Sequence, residues 1–330
     1  MSFYKQMSKR KGVEESKKAA PSKRQALGSS QAKAVLWKIV FPSPASFKNM
    51  VKIVAGVLSE ANVQLVKTDE FQGLLIESLH PSQICLIIAS YAQTIQCGDD
   101  VNLESCKFKL QTNVLKRFLD EMDLNNVVEL YREVDSDDII LKQLNDFGLR
   151  SQVYTIHTLA DVDKSINIRD IDSAIGVDLC VITLKSFCKT SKELGANYVQ
   201  ILVKKWEHNG MEHMCLTLDA DTGSACMMYE FYCVIKTDTV ETSGQVTESY
   251  CIRAVTDNSE GTFEGKEFAE IVFDRKFSCE YLNCVLRNMD RDSIHLCLSQ
   301  NSPMIIKYSL GDDQSDIKVV VSPMNTGEED

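Results

Sequence analysis

The sequence predicts an α+β fold made of two similar domains, each with two helices packed on one face of antiparallel sheets. Three observations predict it. The first half alternates short strand-like stretches with two helix-like stretches. The second half repeats that order of elements. The apolar positions of the two halves also superimpose without a gap around the second helix of each half.

The first half follows the order strand, helix, strands, helix and hairpin. Apolar residues alternate with polar ones in the strand-like stretches and recur every three or four residues in the helix-like ones, as at Phe47, Val51 and Val54. We therefore predict strands at 35–41, 63–66, 73–79 and 84–90, helices at 46–58 and 112–122, and a hairpin formed by 127–131 and 139–144. Residues 108–110 lead into the second helix.

The repeat indicates a structural duplication. Sliding the second half over the first places Leu110 on Phe277, Leu115 on Leu282 and Leu119 on Leu286. Earlier in the halves, 61–66 resembles 196–203 with one inserted residue, so that Val63 falls on Val199. The two offsets differ, and the extra residues of the second half therefore lie between about 200 and 275, where we predict a loop at 236–248. The alternative is a chance similarity of two α+β segments.

Composition limits the class of protein. With 330 residues, 44% of them hydrophobic and 25% charged, the chain is long enough for about two globular domains. It has no apolar run long enough to span a bilayer and no apolar leader, so we expect no membrane partner. The 12 cysteines form no C-x-x-C pair, and we expect them to be reduced core residues.

Charge is distributed unevenly along the chain. Residues 1–33 contain nine basic and two acidic side chains, whereas the whole chain has a net charge of −11. This segment lacks apolar periodicity and is predicted to be a disordered basic arm. It has the composition of a nuclear-localisation or DNA-phosphate arm, and equally of a solubilising tail or a non-native leader. Residues 326–330 are predicted to be an acidic tail.

Basic residues recur on the four predicted helices. Lys185, Lys189 and Lys192 have the spacing that stacks side chains on one helix face. Such faces suit sequence-independent binding of DNA phosphates, although ordinary solvated helix faces look similar, because Asp120, Glu121, Glu193 and Glu280 dilute the positive charge. The predicted DNA-facing residues are Lys48, Lys52, Lys116, Arg117, Lys185, Lys189, Lys192 and Arg287.

Several segments together resemble the proliferating cell nuclear antigen (PCNA) type of sliding clamp, over roughly residues 34–325. Residues 277–283, FSCEYLN, are similar to the helix-entry pattern F-x-x-x-Y-L-N of that family. Residues 294–298, 302–308 and 317–323 follow it in the family's order, and 73–84 resembles an early clamp segment. The basic arm, the enlarged second half, Glu280 and Asn325 depart from the family pattern, which would suit a divergent member, such as one from a virus.

The resemblance implies a non-catalytic, cofactor-free ring of three chains that encircles double-stranded DNA, is opened by a clamp loader, and recruits DNA polymerase and other replication and repair proteins through short peptides. It implies clamp domains at 34–156 and 175–325, joined by a connector at 157–174. The implied subunit interface pairs Tyr154 and Ile156 with Met227 and Tyr229. The implied partner-binding pocket contains Leu79, Ile84, Ile166, Ile168, Pro303, Val320 and Pro323.

Other functions remain open at this point. The sequence lacks phosphate-binding loop, dinucleotide-binding and zinc-protease motifs, and the spacing of His208, His213 and Cys215 matches no recognised metal site, so we expect no enzyme and no metal. The alternatives are a subunit of a heterotrimeric checkpoint-type clamp, and a clamp-like DNA-binding transcription or scaffolding factor that closes no ring. The arm and the resemblance suggest the nucleus, and a viral replication site would serve equally.

Overall fold

A computed structural model describes residues 34–98, 101–103, 106–144, 151–159, 175–233, 236–242, 245–251, 269–311 and 314–324, and the description below refers to these residues. All of them belong to one compact unit, Ala34–Asp330. The predicted basic arm, the acidic tail and residues 160–174 of the predicted connector lie outside the described residues. No described helix is long and apolar enough to cross a bilayer.

The first half has the predicted order of elements, with two helices set between strands. Its elements are β1 Val35–Phe41, α1 Ala45–Val57, β2 Glu60–Lys67, β3 Gln72–Leu79, β4 Cys85–Ala92, β5 Ile95–Cys97, β6 Lys107–Gln111, α2 Thr112–Glu121, β7 Val127–Glu133, β8 Ile139–Leu144 and β9 Gln152–Ile156.

The second half repeats this order, with two strands in the place of the single strand β5. Its elements are β10 Ile175–Cys180, α3 Val181–Glu193, β11 Tyr198–His208, β12 Met211–Asp221, β13 Cys226–Cys233, β14 Lys236–Thr242, β15 Gln245–Cys251, β16 Glu270–Ser278, α4 Cys279–Leu286, β17 Ser293–Leu298, β18 Met304–Ser309 and β19 Asp316–Val321.

The described strands form three sheets. Their orders are β5-β1-β7-β8-β9, β14-β15-β10-β17-β18-β19-β4-β3-β2-β6 and β13-β12-β11-β16. Among these strands every pairing is antiparallel except that of β10 with β15. The ten-stranded sheet joins the two halves, because β19 of the second half pairs with β4 of the first half. We call this pairing the internal junction.

The duplication is visible in equivalent hydrogen bonds at the helix starts. The amide of Thr112 donates to the carbonyl of Ser59 at 3.0 Å, and the amide of Cys279 donates to the carbonyl of Asn197 at 3.1 Å. Each bond ties the first residue of a helix to the residue immediately before a strand. Ser59 is thus equivalent to Asn197, and Thr112 to Cys279.

This register corrects the alignment of 61–66 with 196–203. Ala61 pairs with Leu110, and Val199 pairs with Phe277, so that Val199 corresponds to Ala61 and not to Val63. The error amounts to two residues. A shift of two keeps every side chain of a strand on the same face, and the apolar pattern therefore fits both registers.

The prediction of a loop at 236–248 is wrong. Most of that stretch forms the antiparallel pair of β14 and β15, and β15 also pairs with β10 in parallel. The polar composition suggested a loop, but threonine and valine recur along both strands, as at Thr239, Val240, Val246 and Thr247. These β-branched residues favour extended backbone, which can carry polar side chains at the end of a sheet.

The four helices pack side by side in the order α2, α1, α4, α3, since α1 contacts both α2 and α4 and α3 contacts α4. We call them the helix row. α1 buries Phe47, Met50, Val51, Ile53 and Val54 on its inner face. Asn288, just beyond α4, donates to the carbonyl of Lys52 at 2.8 Å and ties the two halves together.

Candidate nucleic-acid interface, outer face and strand edges

The predicted DNA-facing residues all lie on or next to the helix row, two on α1, two on α2, three on α3 and one directly after α4. Each of the eight keeps some exposure to solvent, and Arg117, Lys189, Lys192 and Arg287 are the most exposed. The fold thus gathers basic side chains that are distant in sequence into one layer of adjacent helices.

One carboxylate binds three of these lysines. Lys48 and Lys52 of α1 lie 3.1 and 3.7 Å from Oδ1 of Asp120, and Lys116 of α2 lies 3.1 Å from Oδ2. Burial alone would raise the pKa of the Asp120 carboxyl, but the hydrogen bonds and positive charges of Lys116 and Lys48 outweigh it and lower the pKa. We call Lys48, Lys52, Lys116 and Asp120 the Asp120 cluster.

The remaining basic residues of the helix row have looser contacts. Arg117 lies 3.5 Å from Glu121, Lys189 lies 3.8 Å from Glu193, and Lys192 lies 3.8 Å from Glu280. Lys185 donates to the backbone carbonyl of Met289 at 3.4 Å. Together with Asp120, these three carboxylates are the acidic residues that the sequence places among the basic ones, and each of them pairs with a basic side chain of the helix row.

The described residues of the predicted partner pocket share one region of the ten-stranded sheet. Val320 of β19 faces Leu86 of β4, and Leu86 faces Leu79 of β3. Ile84, Pro303 and Pro323 adjoin β4, β18 and β19 at one end of this region, where the amide of Ser322 donates to the carbonyl of Ile84 at 2.9 Å. Ile166 and Ile168 lie outside the described residues.

These side chains lie on the face of the sheet opposite the core. Leu79 is half-exposed, whereas the adjacent residues Ile87 and Val319 are fully buried and face the other way. The cross-strand row continues to Ile305 of β18, which pairs with Val320. We call Leu79, Leu86, Val320 and Ile305 the outer apolar patch. The sequence prediction missed Leu86 and Ile305, although the two-residue alternation that includes Ile84 could have shown Leu86.

A charged cluster lies on strands next to the patch. Nδ1 of His295 is 2.8 Å from Oδ1 of Asp178, its cross-strand neighbour. The hydrogen bonds to Asp178 and to Cys297 raise the pKa of His295 to about 9.

In the described parts of the chain, no three His, Cys, Asp or Glu side chains are close enough together to hold a metal ion.

The predicted interface strands are each the last strand of a sheet on one side. β9 ends the five-stranded sheet, and β13 ends the four-stranded sheet, among the described strands. We call β9 and β13 the free edges. On β9, the ring of Tyr154 stacks on Phe118 at 4.4 Å, and Ile156 is buried. On β13, Tyr229 contacts Phe187 edge-to-face at 5.0 Å, and Met227 packs against the core.

The outward side of each free edge carries an exposed apolar residue. Val153 of β9 is 52% exposed, and Met228 of β13 is 55% exposed. Exposed apolar side chains on an unpaired strand are unusual in a protein that functions alone. The four predicted interface residues thus lie on the two edge strands but face the chain's own core, whereas their neighbours Val153 and Met228 are exposed.

Comparison with known proteins supports the fold and leaves the family open. No protein-family model matches the chain, and no curated protein matches it. The crystal structure of proliferating cellular nuclear antigen from Entamoeba histolytica matches with a TM-score of 0.64 and 13% sequence identity, over 88% of this chain and 100% of that chain. At this identity the likeness concerns the fold. The predicted α+β fold class is confirmed, and the chain has a PCNA-like clamp fold.

Proposed function

We propose that the chain is a DNA sliding clamp, which closes with two further copies into a ring around duplex DNA and tethers replication and repair proteins to it. The observation that carries this proposal is the pair of free edges. β9 and β13 hold the same places in their halves as β19 and β4, which pair with each other inside the chain. The chain can therefore repeat its own internal junction with a second copy.

The geometry of the strands supports closure by this route. β9 follows β8 in a meander, as β19 follows β18, and β13 follows β12, as β4 follows β3. Antiparallel addition of β9 from one copy to β13 of the next would satisfy the unpaired backbone groups of both strands. Each copy would use one edge of each kind, so that head-to-tail contacts can close into a ring. The number of three copies rests on the resemblance to PCNA.

The helix row would line the hole of the ring. It brings eight basic side chains together on a chain whose net charge is −11. Lysine and arginine attract phosphates regardless of base sequence, whereas an acidic exterior disfavours binding of DNA elsewhere. The proposed contact is therefore sequence-independent and sensitive to salt.

The outer apolar patch would bind partners. Its side chains lie on the side of the sheet away from the core, where Leu79 is 41% exposed and Leu86 and Val320 are 7% and 9% exposed. A short hydrophobic segment of a DNA polymerase, a repair protein or a clamp loader would bury that surface. The role proposed for this chain is non-catalytic, in the nucleus or at a viral replication site.

The experiment that tests the ring is the solution mass by light scattering at several concentrations. We expect the mass of three chains. A stable monomer at all concentrations would contradict the self-closing ring and would favour the heterotrimeric ring or the DNA-binding factor that closes no ring.

Cross-linking identifies the strands that close the ring. Thr155 of β9 and Cys226 of β13 are both exposed and point to the outer side of their sheets. We expect Thr155→Cys to form an intermolecular disulfide with the natural Cys226 under mild oxidation, since paired strands bring Cα atoms within disulfide range. The Thr155→Cys, Cys226→Ser double variant is the matched control and should form none. Cross-links that persist in that control would show that other surfaces meet.

A further inference from the structure

The Asp120 cluster differs from every other charged contact of the helix row. Its lysines come from two helices and reach both oxygens of one carboxylate, at 3.1, 3.7 and 3.1 Å. The other pairs described above join one basic residue to one carboxylate at 3.5 to 3.8 Å. Only in the Asp120 cluster does the row concentrate three positive charges at one point.

The lysines of the cluster are less exposed than the paired lysines of α3. The Lys48 side chain is 12% exposed and those of Lys52 and Lys116 are each 38% exposed, whereas those of Lys189 and Lys192 are 69% and 47% exposed. A partly buried ammonium group loses less conformational entropy when it binds an anion than a freely moving one, and water screens it less. Lys48 is therefore the most firmly held member of the cluster.

The chemistry of the cluster matches that of a phosphate. Three ammonium groups around two carboxylate oxygens leave a net charge of two positive units. A DNA phosphate offers two charged oxygens of similar spacing, and lysine binds it as a point charge. Because the Asp120 carboxylate already holds these ammonium groups, an approaching phosphate meets a site whose charge is partly neutralised.

We propose that Lys48, Lys52 and Lys116 form a phosphate-binding site for the DNA backbone, and that Asp120 is a built-in competitor that keeps this contact weak. The inference rests on the proposed function and adds to it the residue that sets the strength of binding. A clamp must hold DNA without stopping on it. Asp120 supplies an alternative partner for the lysines at each step, which shortens the life of every phosphate contact.

The test is the Asp120→Asn variant, which keeps the shape of the side chain and removes its charge. Binding to a fluorescent linear duplex is measured by anisotropy over a series of salt concentrations. We expect affinity at low salt to rise about three- to fivefold. We also expect the slope of log K against log salt to become steeper by about one unit.

The matched control is Glu193→Gln, which removes a carboxylate that pairs with one exposed lysine. It should change affinity by less than about twofold. Addition of Lys116→Met to Asp120→Asn should abolish the gain, because the gain requires the released lysines. An Asp120→Asn affinity within twofold of the wild type, or equal to that of Glu193→Gln, would overturn the inference.

Two further readouts separate the possible failures. If neither the wild type nor any variant binds DNA, the proposed function itself is contradicted. If the wild type binds DNA and Asp120→Asn binds it no more tightly, only the role of Asp120 as a competitor is contradicted. Should Asp120→Asn fail to fold, single lysine variants decide the question. Lys116→Met should then weaken binding more than Lys189→Met, and equal losses would overturn the inference.

Discussion

The internal junction and the free edges use equivalent strands in two different states. At the junction, β4 and β19 pair over six residues each, and Ile87 and Val319 at its centre are fully buried. At the free edges, Val153 and Met228 are more than half exposed. The equivalent strands therefore carry exposed apolar side chains where no other described strand lies beside them. In the proposed ring, the pairing used at the junction would be repeated between chains.

The largest expected effect comes from a charge on a free edge. Met228→Glu places a carboxylate on the exposed side of β13, where a paired neighbour would bury it. We expect the mass in light scattering to fall from three chains to one, with the fold retained. Ser224→Glu, an exposed change in the turn before β13, should leave the mass unchanged. A Met228→Glu variant that remains trimeric would show that β13 lies outside the interface.

A smaller effect is expected from a cavity at the internal junction. Ile87 is fully buried where β4 meets β19. Ile87→Ala should lower the free energy of unfolding by about 2–4 kcal/mol, because it removes buried methyl groups and leaves a cavity. Urea denaturation measures this loss, and Ile88→Ala, at a half-exposed position on the other face, should lose clearly less. Equal losses at both positions would contradict the assignment of faces.

A still smaller effect concerns one hydrogen bond at the rim of the junction. The hydroxyl oxygen of Ser315, a buried residue, accepts the amide proton of Ala92 at 2.9 Å. Ser315→Ala leaves that amide without this acceptor and should cost about 1 kcal/mol in urea denaturation. The subunit mass should not change. A loss of trimer in this variant would mean that the junction and the free edges are coupled.

The smallest effect is a pH dependence in the sheet that contains the junction. The pKa of His295 is raised to about 9, above its ordinary value of 6.5, by hydrogen bonds to Asp178 and Cys297. Because the His295 imidazole binds its proton more tightly in the folded state, its protonation stabilises the fold. This stabilisation is fully present below pH 6.5 and is lost as the pH rises through 9. Melting temperatures should show this decline, and His295→Gln should flatten it. An equally steep decline in His295→Gln would assign it to other groups, such as the Cys85 thiol, whose pKa burial raises to about 12.

The periodicity of apolar residues was sufficient to predict most of the elements of the fold. Strands and helices in the first half follow alternations that local sequence shows, and β1, β8 and both helices lie within one residue of their predicted bounds. The failures are also physical. The alignment of β2 with its equivalent strand β11 was wrong by two residues, because the apolar alternation has a period of two. The hairpin of β14 and β15 was predicted as a loop because its residues are polar.

The candidate site was predictable where it depends on helix faces and not where it depends on pairing across the fold. The spacing of residues along the sequence placed the lysines on their helices and showed that Asp120 reduces the positive charge of the second helix. It could not show that Lys48, Lys52 and Lys116 converge on that carboxylate, since α1 and α2 meet only through tertiary packing. For the same reason Leu86 and Ile305 were missed, because cross-strand neighbours are set by register.

The internal junction also constrains how the chain is made. Ser90 of β4 and Asp316 of β19, which hydrogen bond across the junction, are 226 residues apart. At about 5–20 residues per second, a ribosome needs on the order of ten to fifty seconds to synthesise that interval. Throughout this time the nascent first half exposes one side of β4, and its sheet ends there. A chaperone that shields this strand during translation would therefore keep it from pairing with other chains before β19 is made.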